Sequence, residues 1–210
     1  LVSHRDLVTI AGAATSPVIN ALTDAEHPCQ VLADCMTVRS VTGRLAGATV
    51  AYIGDGNNVC TSWIYAAALL GVHLRVICPR GDEPPQAVVE RAAGLRATGT
   101  GFEVTYVAAP ALRDTEIIYT DVWTSMGQEF EQQRRREDFA YLQVNDSLVA
   151  LAPLGVRVMH CLPAHRGEEI TDAVIDGPNS VVFDQAENRL WVQQALLALI
   201  YADDGVGVAA

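Results

Sequence analysis

Five short clusters of polar residues stand out because their side chains could bind or transform a small polar molecule. The first cluster joins an imidazole, a thiol and an amide within four residues, and His is the side chain that changes charge near neutral pH. The clusters are His27-Pro28-Cys29-Gln30, Gly54-Asp55-Gly56-Asn57-Asn58, Asp121-Val122-Trp123-Thr124-Ser125-Met126-Gly127, His160-Cys161-Leu162-Pro163-Ala164-His165-Arg166-Gly167 and Glu187-Asn188-Arg189. If the fold brings them together, they form one polar site.

Each cluster also has a plainer structural interpretation. Cys161 is either a buried core thiol or the nucleophile of a Cys–His pair with His27 or His165. Asp121 is either a ligand-binding carboxylate or a turn residue. Asn58 either points into a cleft or only marks the start of a helix.

Spacing disfavours two kinds of site. Gly54-Asp55-Gly56 follows a predicted strand, but the third Gly of a dinucleotide fingerprint is missing, and the stretch 70–74 lacks the expected acidic residue. The His and Cys residues lack the paired spacing of zinc sites, and the adjacent His160 and Cys161 are expected on opposite faces of a strand. We therefore expect neither a nicotinamide cofactor nor a metal.

Six short apolar runs rich in β-branched residues are typical of buried parallel strands. They are Ala48–Gly54, Leu74–Cys78, Glu103–Val107, Ile117–Thr120, Val156–Cys161 and Val181–Asp184. Helical patterns between them predict an α/β chain, a Rossmann-like doubly wound parallel sheet with helices on both faces. Ligands of such sheets bind at the carboxyl ends of the strands, where four of the five clusters stand.

Helical periodicity predicts the elements between the strands. The predicted helices are 27–38, 58–70, 85–97, 128–141, a short one after Thr171-Asp172, and 185–201. The helix over 128–141 is strongly charged, and its Arg134-Arg135-Arg136 run is interpreted as a solvated face. Residues 1–42 have a different pattern, and we interpret them as the tail of a preceding α/β domain.

Composition excludes several classes of function. The 210 residues carry a net charge of −11, which argues against broad binding to nucleic acid or anionic membranes. All 14 basic residues are Arg, so the sequence offers no Walker A lysine, Schiff-base lysine or lysine general base. No apolar run is long enough to span a membrane. The five scattered cysteines favour a reducing cytoplasm over a disulfide framework.

In this order, the clusters resemble the ornithine carbamoyltransferase branch of the aspartate/ornithine carbamoyltransferase family. The string at 27–30 fits any transcarbamoylase, whereas those at 121–127 and 160–163 point to the ornithine branch. The resemblance covers about residues 17–198. It implies transfer of a carbamoyl group from carbamoyl phosphate to the δ-amine of L-ornithine, giving L-citrulline and phosphate. It also implies a homotrimer, and neither cofactor nor metal.

The resemblance assigns two groups of binding residues. Those implied to bind carbamoyl phosphate are His27, Pro28, Cys29, Gln30, Cys161, Leu162 and Arg189. Those implied to bind ornithine are Asn58, Asp121, Ser125 and Met126. The implied catalytic residues are Cys161, His27 and Asp121. In this scheme His27 donates a hydrogen bond to the carbonyl oxygen as negative charge develops there, and Cys161 orients the amine.

The sequence departs from the family at the phosphate site. The Ser-x-Arg-Thr loop and the further Arg that bind phosphate in the family do not occur, and the chain begins at Leu1 without Met. We therefore expect a carboxyl-terminal fragment: residues 1–42 as the tail of the carbamoyl-phosphate domain, 43–185 as the ornithine-binding domain, and 186–210 as a helix packing back on the first domain. Two alternatives stay open, a non-catalytic remnant that holds an amino acid and a transcarbamoylase with another amine acceptor.

Overall fold

Five parallel strands form one sheet in the order β3-β2-β1-β4-β5. The computed structural model describes residues 3–95, 101–124 and 131–202. The strands are β1 (Thr49–Ile53), β2 (His73–Ile77), β3 (Phe102–Thr105), β4 (Ile117–Thr120) and β5 (Arg157–His160). Strand order reverses between β1 and β4, so the sheet has its topological switch point there.

Helices precede, connect and follow the strands. They are α1 (His4–Ala13), α2 (Pro28–Thr42), α3 (Asn58–Leu70), α4 (Gln86–Leu95), α5 (Ala108–Leu112), α6 (Gln132–Phe139), α7 (Asp146–Val149), α8 (Asp172–Ile175) and α9 (Val182–Tyr201). A 3₁₀ turn over Ala140–Leu142 follows α6. Among the described residues, none of the helices combines the length and the hydropathy needed to cross a bilayer.

The sheet is buried on both faces because alternate strand residues point to opposite sides. Tyr52 and Tyr119 lie on one face, where their rings stack 5.5 Å apart and Trp63 of α3 packs edge-on against Tyr119. Ala51 and Ile118 lie on the other face, in a second apolar cluster. The prediction of a doubly wound parallel α/β sheet with helices on both faces is confirmed.

The predicted sixth strand over Val181–Asp184 is wrong. Ser180 forms a single parallel bridge to Val158 of β5, and the backbone then becomes helical at Val182. The apolar Val-Val-Phe run is typical of a strand, but here it begins α9, whose first turn holds Asp184 near the positive end of the helix dipole. A short apolar run can be buried in a helix as well as in a strand, and Val182 is buried here in a helix.

Other element boundaries differ from the predictions by a few residues. α3 matches its predicted range, and α9 starts three residues before the predicted Gln185. The sequence analysis predicts no helix over α1, and none of its residues is buried in the structure. Residues 96–97 and 128–130 of the predicted helices lie outside the described residues.

Candidate active site

A cleft of about 210 Å³ opens at the carboxyl ends of the strands around the switch point. Residues after β4 and β5, the start of α3 and the segment before α2 all contribute to it. We call it the switch-point cleft. Its polar lining consists of His27, Asn58, Asp121, Thr124, Cys161 and His165. The structure therefore brings together five of the sequence-predicted site residues, His27, Asn58, Asp121, Cys161 and Leu162.

Asp121 is the most strongly held side chain of the switch-point cleft. Its Oδ1 accepts hydrogen bonds from the Cys161 thiol at 2.8 Å and from the Val122 N–H at 2.8 Å. Its Oδ2 accepts from the Asn57 amide at 2.8 Å. These three donors orient a carboxylate that is only 6% exposed, so it presents a fixed negative charge to a ligand.

Asn57 is a site residue that the sequence reasoning missed. It is the N-cap of α3: its Oδ1 accepts from the Val59 and Cys60 N–H groups, and also from the Tyr52 hydroxyl. These bonds turn its NH₂ group toward Asp121. The signal was present, because Asn directly before an apolar helical run is a common N-cap.

Asn58, one residue further on, lines the switch-point cleft but is already hydrogen-bonded. Its amide donates to the Thr23 carbonyl at 2.7 Å, and its Oδ1 accepts from the Val59 N–H. Asn58 therefore joins the segment before α2 to the first turn of α3.

Cys161 follows β5, and its thiol points at Asp121. Burial, reinforced by the Asp121 charge, raises the pKa of this thiol well above its usual value. The thiol therefore stays protonated at neutral pH and acts as a hydrogen-bond donor. Among the described residues no imidazole is hydrogen-bonded to its sulfur, which argues against the Cys–His nucleophile alternative.

His27 immediately precedes α2 and is 8% exposed. Its backbone N–H donates to the Ser62 hydroxyl of α3 at 2.8 Å. Burial, followed by the nearby Arg189 charge, lowers the pKa of His27 to about 4, against smaller opposing effects of the Ala21 carbonyl and Asp121. The ring is neutral at pH 7, and its Nδ1 has no hydrogen-bond partner among the described residues.

Four of the residues implied to bind carbamoyl phosphate, Pro28, Cys29, Gln30 and Arg189, are not part of the lining of the switch-point cleft. Arg189 of α9 donates a hydrogen bond to the side-chain oxygen Oε1 of Gln30 at 2.6 Å, and Gln30 is almost fully buried. Pro28 is the first residue of α2, and the Cys29 thiol donates to the Asn20 carbonyl at 3.5 Å. Ser125 and Met126 lie outside the described residues.

The turn after β5 is held by a buried His–Glu pair. The Leu162 N–H donates to His160 Nδ1 at 2.8 Å, so the ring proton is on Nε2, which faces Glu169 Oε1 at 3.0 Å. Glu169 Oε1 also accepts from the His165 N–H at 2.6 Å. Leu162 itself has φ +57°, a left-handed conformation that these bonds stabilise.

The expectation that His160 and Cys161 point apart is wrong. Together with Asp121, they place one potential metal-ligand atom each within 4.8 Å of one another. Cys161 lies beyond the end of β5, where strand alternation no longer fixes side-chain direction. The hydrogen bonds described above already engage both His160 nitrogens and both Asp121 oxygens, and only Cys161 and Asp121 of the three are bonded to each other in the described structure.

The solvated-face interpretation of the Arg134-Arg135-Arg136 run is wrong for its middle residue. The Arg135 side chain is 7% exposed and lies 3.1 Å from Asp55 and 3.6 Å from Asp82. It also donates to the Trp123 carbonyl at 3.0 Å. The carboxyl ends of β1, β2 and β4 are thus joined to α6 through one guanidinium. A run of three arginines does not reveal from sequence which of them is buried.

Comparison with known proteins identifies two matching family descriptions. "Aspartate/ornithine carbamoyltransferase, Asp/Orn binding domain" matches residues 46–200. "Aspartate/ornithine carbamoyltransferase, carbamoyl-P binding domain" matches residues 2–40. Between them, the two descriptions account for most of the chain.

Individual relatives agree with these descriptions. The chain is similar to the ornithine carbamoyltransferase of Acidothermus cellulolyticus, at 52% identity over 207 residues that cover 98% of this chain and 66% of the relative. It is similar to the anabolic ornithine carbamoyltransferase of Pyrococcus furiosus, at 51% identity over 198 residues covering 94% and 63%. A solved structure of the Pyrococcus furiosus protein superposes with a TM-score of 0.90 at 49% identity, covering 96% and 65%. The chain thus spans slightly less than two thirds of the length of these relatives.

Proposed function

The chain belongs to the aspartate/ornithine carbamoyltransferase family. From that membership we propose that it functions as part of an ornithine carbamoyltransferase. The proposed reaction transfers the carbamoyl group of carbamoyl phosphate to the δ-amine of L-ornithine and releases L-citrulline and phosphate. The observation that carries the proposal is the switch-point cleft, where a fixed carboxylate, a protonated thiol and a neutral imidazole face one space.

Ornithine recognition is assigned to the Asp121 side of the cleft. The Asp121 carboxylate suits an ammonium group, because charge-assisted hydrogen bonds are stronger than neutral ones. Asn58, Ser125 and Met126 complete the proposed ornithine contacts by family resemblance. Asn57 orients the Asp121 carboxylate through the hydrogen bond from its amide.

Carbamoyl transfer is assigned to His27, Cys161 and Leu162. The neutral amine nitrogen forms a bond to the carbamoyl carbon, the bond from that carbon to the phosphate oxygen breaks, and the proton that the amine loses passes to the departing phosphate. A neutral His27 can donate its ring N–H to the carbonyl oxygen as negative charge grows there. The Cys161 thiol and the Leu162 carbonyl orient the attacking amine. A thiol that stays protonated gives no reason to invoke a covalent S-carbamoyl cysteine intermediate.

Further contacts to carbamoyl phosphate are assigned to the start of α2 and to Arg189. A helix amino end and a guanidinium both favour an anion, and Pro28, Cys29 and Gln30 form the first turn of α2. Arg189 lies close enough to His27 to lower the pKa of the imidazole, which supports a shared ligand.

The wider setting belongs to the same proposal. We propose the division at residues 42 and 185 into a carbamoyl-phosphate part, an ornithine part and a terminal helical segment, with α9 running continuously through residue 185. A homotrimer follows from family membership. The five free cysteines support a cytoplasmic location, and the anabolic Pyrococcus furiosus relative supports a role in arginine synthesis.

Calorimetric titration of the 210-residue chain with L-ornithine, L-aspartate and putrescine, each with and without carbamoyl phosphate, tests the acceptor. We expect ornithine to bind in preference to the other two amines. Preference for another amine would instead support a transcarbamoylase with a different acceptor. Ornithine binding without citrulline would support a non-catalytic amino-acid-binding chain.

A further inference from the structure

Asp34 is a fully buried carboxylate in the middle of α2, outside the switch-point cleft. Its Oδ1 accepts two amide hydrogen bonds, one from Gln30 Nε2 at 2.8 Å and one from Gln185 Nε2 at 2.7 Å. Gln30 lies one turn earlier on α2, and Gln185 lies in the first turn of α9. One oxygen atom therefore joins the two helices.

Each glutamine side chain is also hydrogen-bonded to a residue at or next to the proposed site. The side-chain oxygen Oε1 of Gln30 accepts a hydrogen bond from Arg189 at 2.6 Å. Oε1 of Gln185 accepts one from the His160 backbone N–H at 2.9 Å. His160 directly precedes Cys161. We call these four side chains, Gln30, Asp34, Gln185 and Arg189, the Asp34 network.

The direction of each bond in the Asp34 network follows from donor and acceptor chemistry. Oδ1 of Asp34 accepts, so each glutamine turns its NH₂ group toward it and its oxygen away. The outward oxygens then match two groups that only donate, the Arg189 guanidinium and a backbone N–H. Without the acceptor at Asp34, either amide could flip and present an NH₂ group to a donor.

Resting on the proposed function, we propose that Asp34 is a positioning residue for carbamoyl-phosphate binding. Through Gln30 it holds the guanidinium of Arg189, and through Gln185 it holds the backbone that leads into Cys161.

The energetic cost of Asp34 supports a role beyond packing. Burying a carboxylate is unfavourable unless its oxygens are satisfied, and Asp34 Oδ2 has no hydrogen-bond partner among the described residues. Burial raises the pKa of Asp34 to about 7, and hydrogen bonds from its neighbours offset only part of that effect. An apolar residue at this position of α2 would avoid the cost, but it would not orient Gln30.

Two variants of the 210-residue chain separate positioning from packing. Asp34→Leu removes the acceptor, and Asp34→Asn keeps an oxygen that can accept both amides. The matched control is Thr37→Val, one turn along α2, which removes another hydrogen bond between α2 and α9, the partly buried 2.8 Å bond from Asn188 to Thr37 Oγ1. Calorimetry measures the dissociation constants of carbamoyl phosphate and L-ornithine for each chain.

We expect Asp34→Leu to weaken carbamoyl-phosphate binding about tenfold, as loss of an oriented charge-assisted bond does, while ornithine binding changes less than about twofold. Asp34→Asn is expected to restore most of the affinity, and Thr37→Val to leave it unchanged. In the citrulline assay the same split appears as a raised KM for carbamoyl phosphate with an unchanged KM for ornithine.

Three results would overturn the inference in different ways. Equal carbamoyl-phosphate binding by wild type and Asp34→Leu would remove Asp34 from the site and leave the proposed function standing. If Asp34→Asn and Asp34→Leu weaken carbamoyl-phosphate binding equally, the acceptor geometry of Asp34 is not what supports binding, and its buried charge is. Failure of the wild-type chain to bind carbamoyl phosphate would overturn the assignment of carbamoyl-phosphate binding to these residues, and this inference with it.

Gln185→Met provides an independent test if circular dichroism shows that Asp34→Leu does not fold. This variant keeps the buried volume of α9 and removes one of the two amides on Asp34. We expect carbamoyl-phosphate binding to weaken about threefold, because Asp34 still holds Gln30. Unchanged binding in this variant would contradict the network.

Discussion

At the scale of single residues, the contact between the Cys161 thiol and the Asp121 carboxylate decides the chemistry of the switch-point cleft. A thiol paired with a carboxylate and removed from water holds its proton, so Cys161 donates rather than attacks. Asp121 in turn keeps its charge directed by Asn57 and by the Val122 N–H. The pair therefore presents one fixed anion and one fixed donor to an amino-acid ligand.

Replacing Cys161 by Ala tests the donor role. The change leaves Asp121 Oδ1 with one donor fewer, so we expect weaker ornithine binding and a lower citrulline rate, with carbamoyl-phosphate binding retained. Cys161→Ser keeps a donor and is expected to fall between Ala and wild type. Steady-state kinetics with calorimetry measure these effects, and wild-type behaviour of Cys161→Ala would disprove the assignment.

Replacing Asp121 by Asn tests the proposed ammonium partner. Loss of a charge-assisted hydrogen bond should weaken ornithine binding by about 1–3 kcal/mol. Asp114→Asn is the control, because that carboxylate is 66% exposed and pairs with Arg75 outside the cleft. Titration calorimetry with L-ornithine reads both variants, and an unchanged Asp121→Asn affinity would remove Asp121 from the site.

At the scale of elements, Arg135 connects α6 to three strand ends. It contacts Asp55 after β1, Asp82 after β2 and the Trp123 carbonyl after β4. Burial raises the pKa of Asp55 to about 6, although Arg135 opposes the rise. The guanidinium therefore offsets the cost of two nearly buried carboxylates at the edge of the sheet that carries the site.

Replacing Arg135 by Met removes that compensation and keeps the volume of the side chain. Breaking a buried ion pair leaves uncompensated charge, so we expect the free energy of unfolding to fall by about 3–5 kcal/mol. The matched control, Arg134→Met on the same helix, removes a side chain that is 58% exposed and should change stability little. Urea unfolding compares them, and equal midpoints would contradict a structural role of Arg135.

Prediction of the elements succeeded where one pattern dominated. The apolar strand cores and the range of α3 follow directly from periodicity and from the Gly that ends the helix. The prediction for Val181–Asp184 failed because a short apolar run suits the start of a helix as well as a strand: Val182 is buried and Phe183 is exposed. Only the bridge of Ser180 to Val158 shows where strand pairing stops.

At the scale of the whole molecule, the Asp34 network joins α2, α9 and β5, which are far apart in sequence. Several ionisable groups face Asp34: Arg189 of α9, Tyr119 of β4, and Cys35 and Cys161. Because the network joins several elements, we expect protonation of Asp34 to change the free energy of unfolding of the whole chain.

The dependence of stability on pH follows from the raised pKa of Asp34. Between about pH 4 and pH 7 the folded chain keeps the proton that the unfolded chain has released, so this group lowers stability as pH rises. His27 acts oppositely, because its lowered pKa of about 4 makes the unfolded chain bind the extra proton below about pH 6.5. Asp34→Asn isolates the first effect.

We expect the unfolding free energy of wild type, minus that of Asp34→Asn, to fall by roughly 2–4 kcal/mol between pH 4 and pH 7. Urea unfolding at several pH values measures the difference, in which the His27 contribution cancels. A difference that stays constant, or that rises with pH, would show that Asp34 is ionised throughout this range.

The sequence by itself determined the α/β class, the parallel strands and the polar clusters at their carboxyl ends, because these depend on local periodicity and residue type. It also indicated the family, through strings that retain their order along the chain.

Only the tertiary structure decided which polar residues meet. Asn57 orients Asp121, Arg135 is buried while Arg134 is not, and Asp34 joins Gln30 to Gln185, which follows Asp34 by 151 residues. The physical reason is that burial and hydrogen-bond partners depend on residues from distant segments packing together. A polar residue has the same appearance in sequence whether it is solvated or holds a site in place.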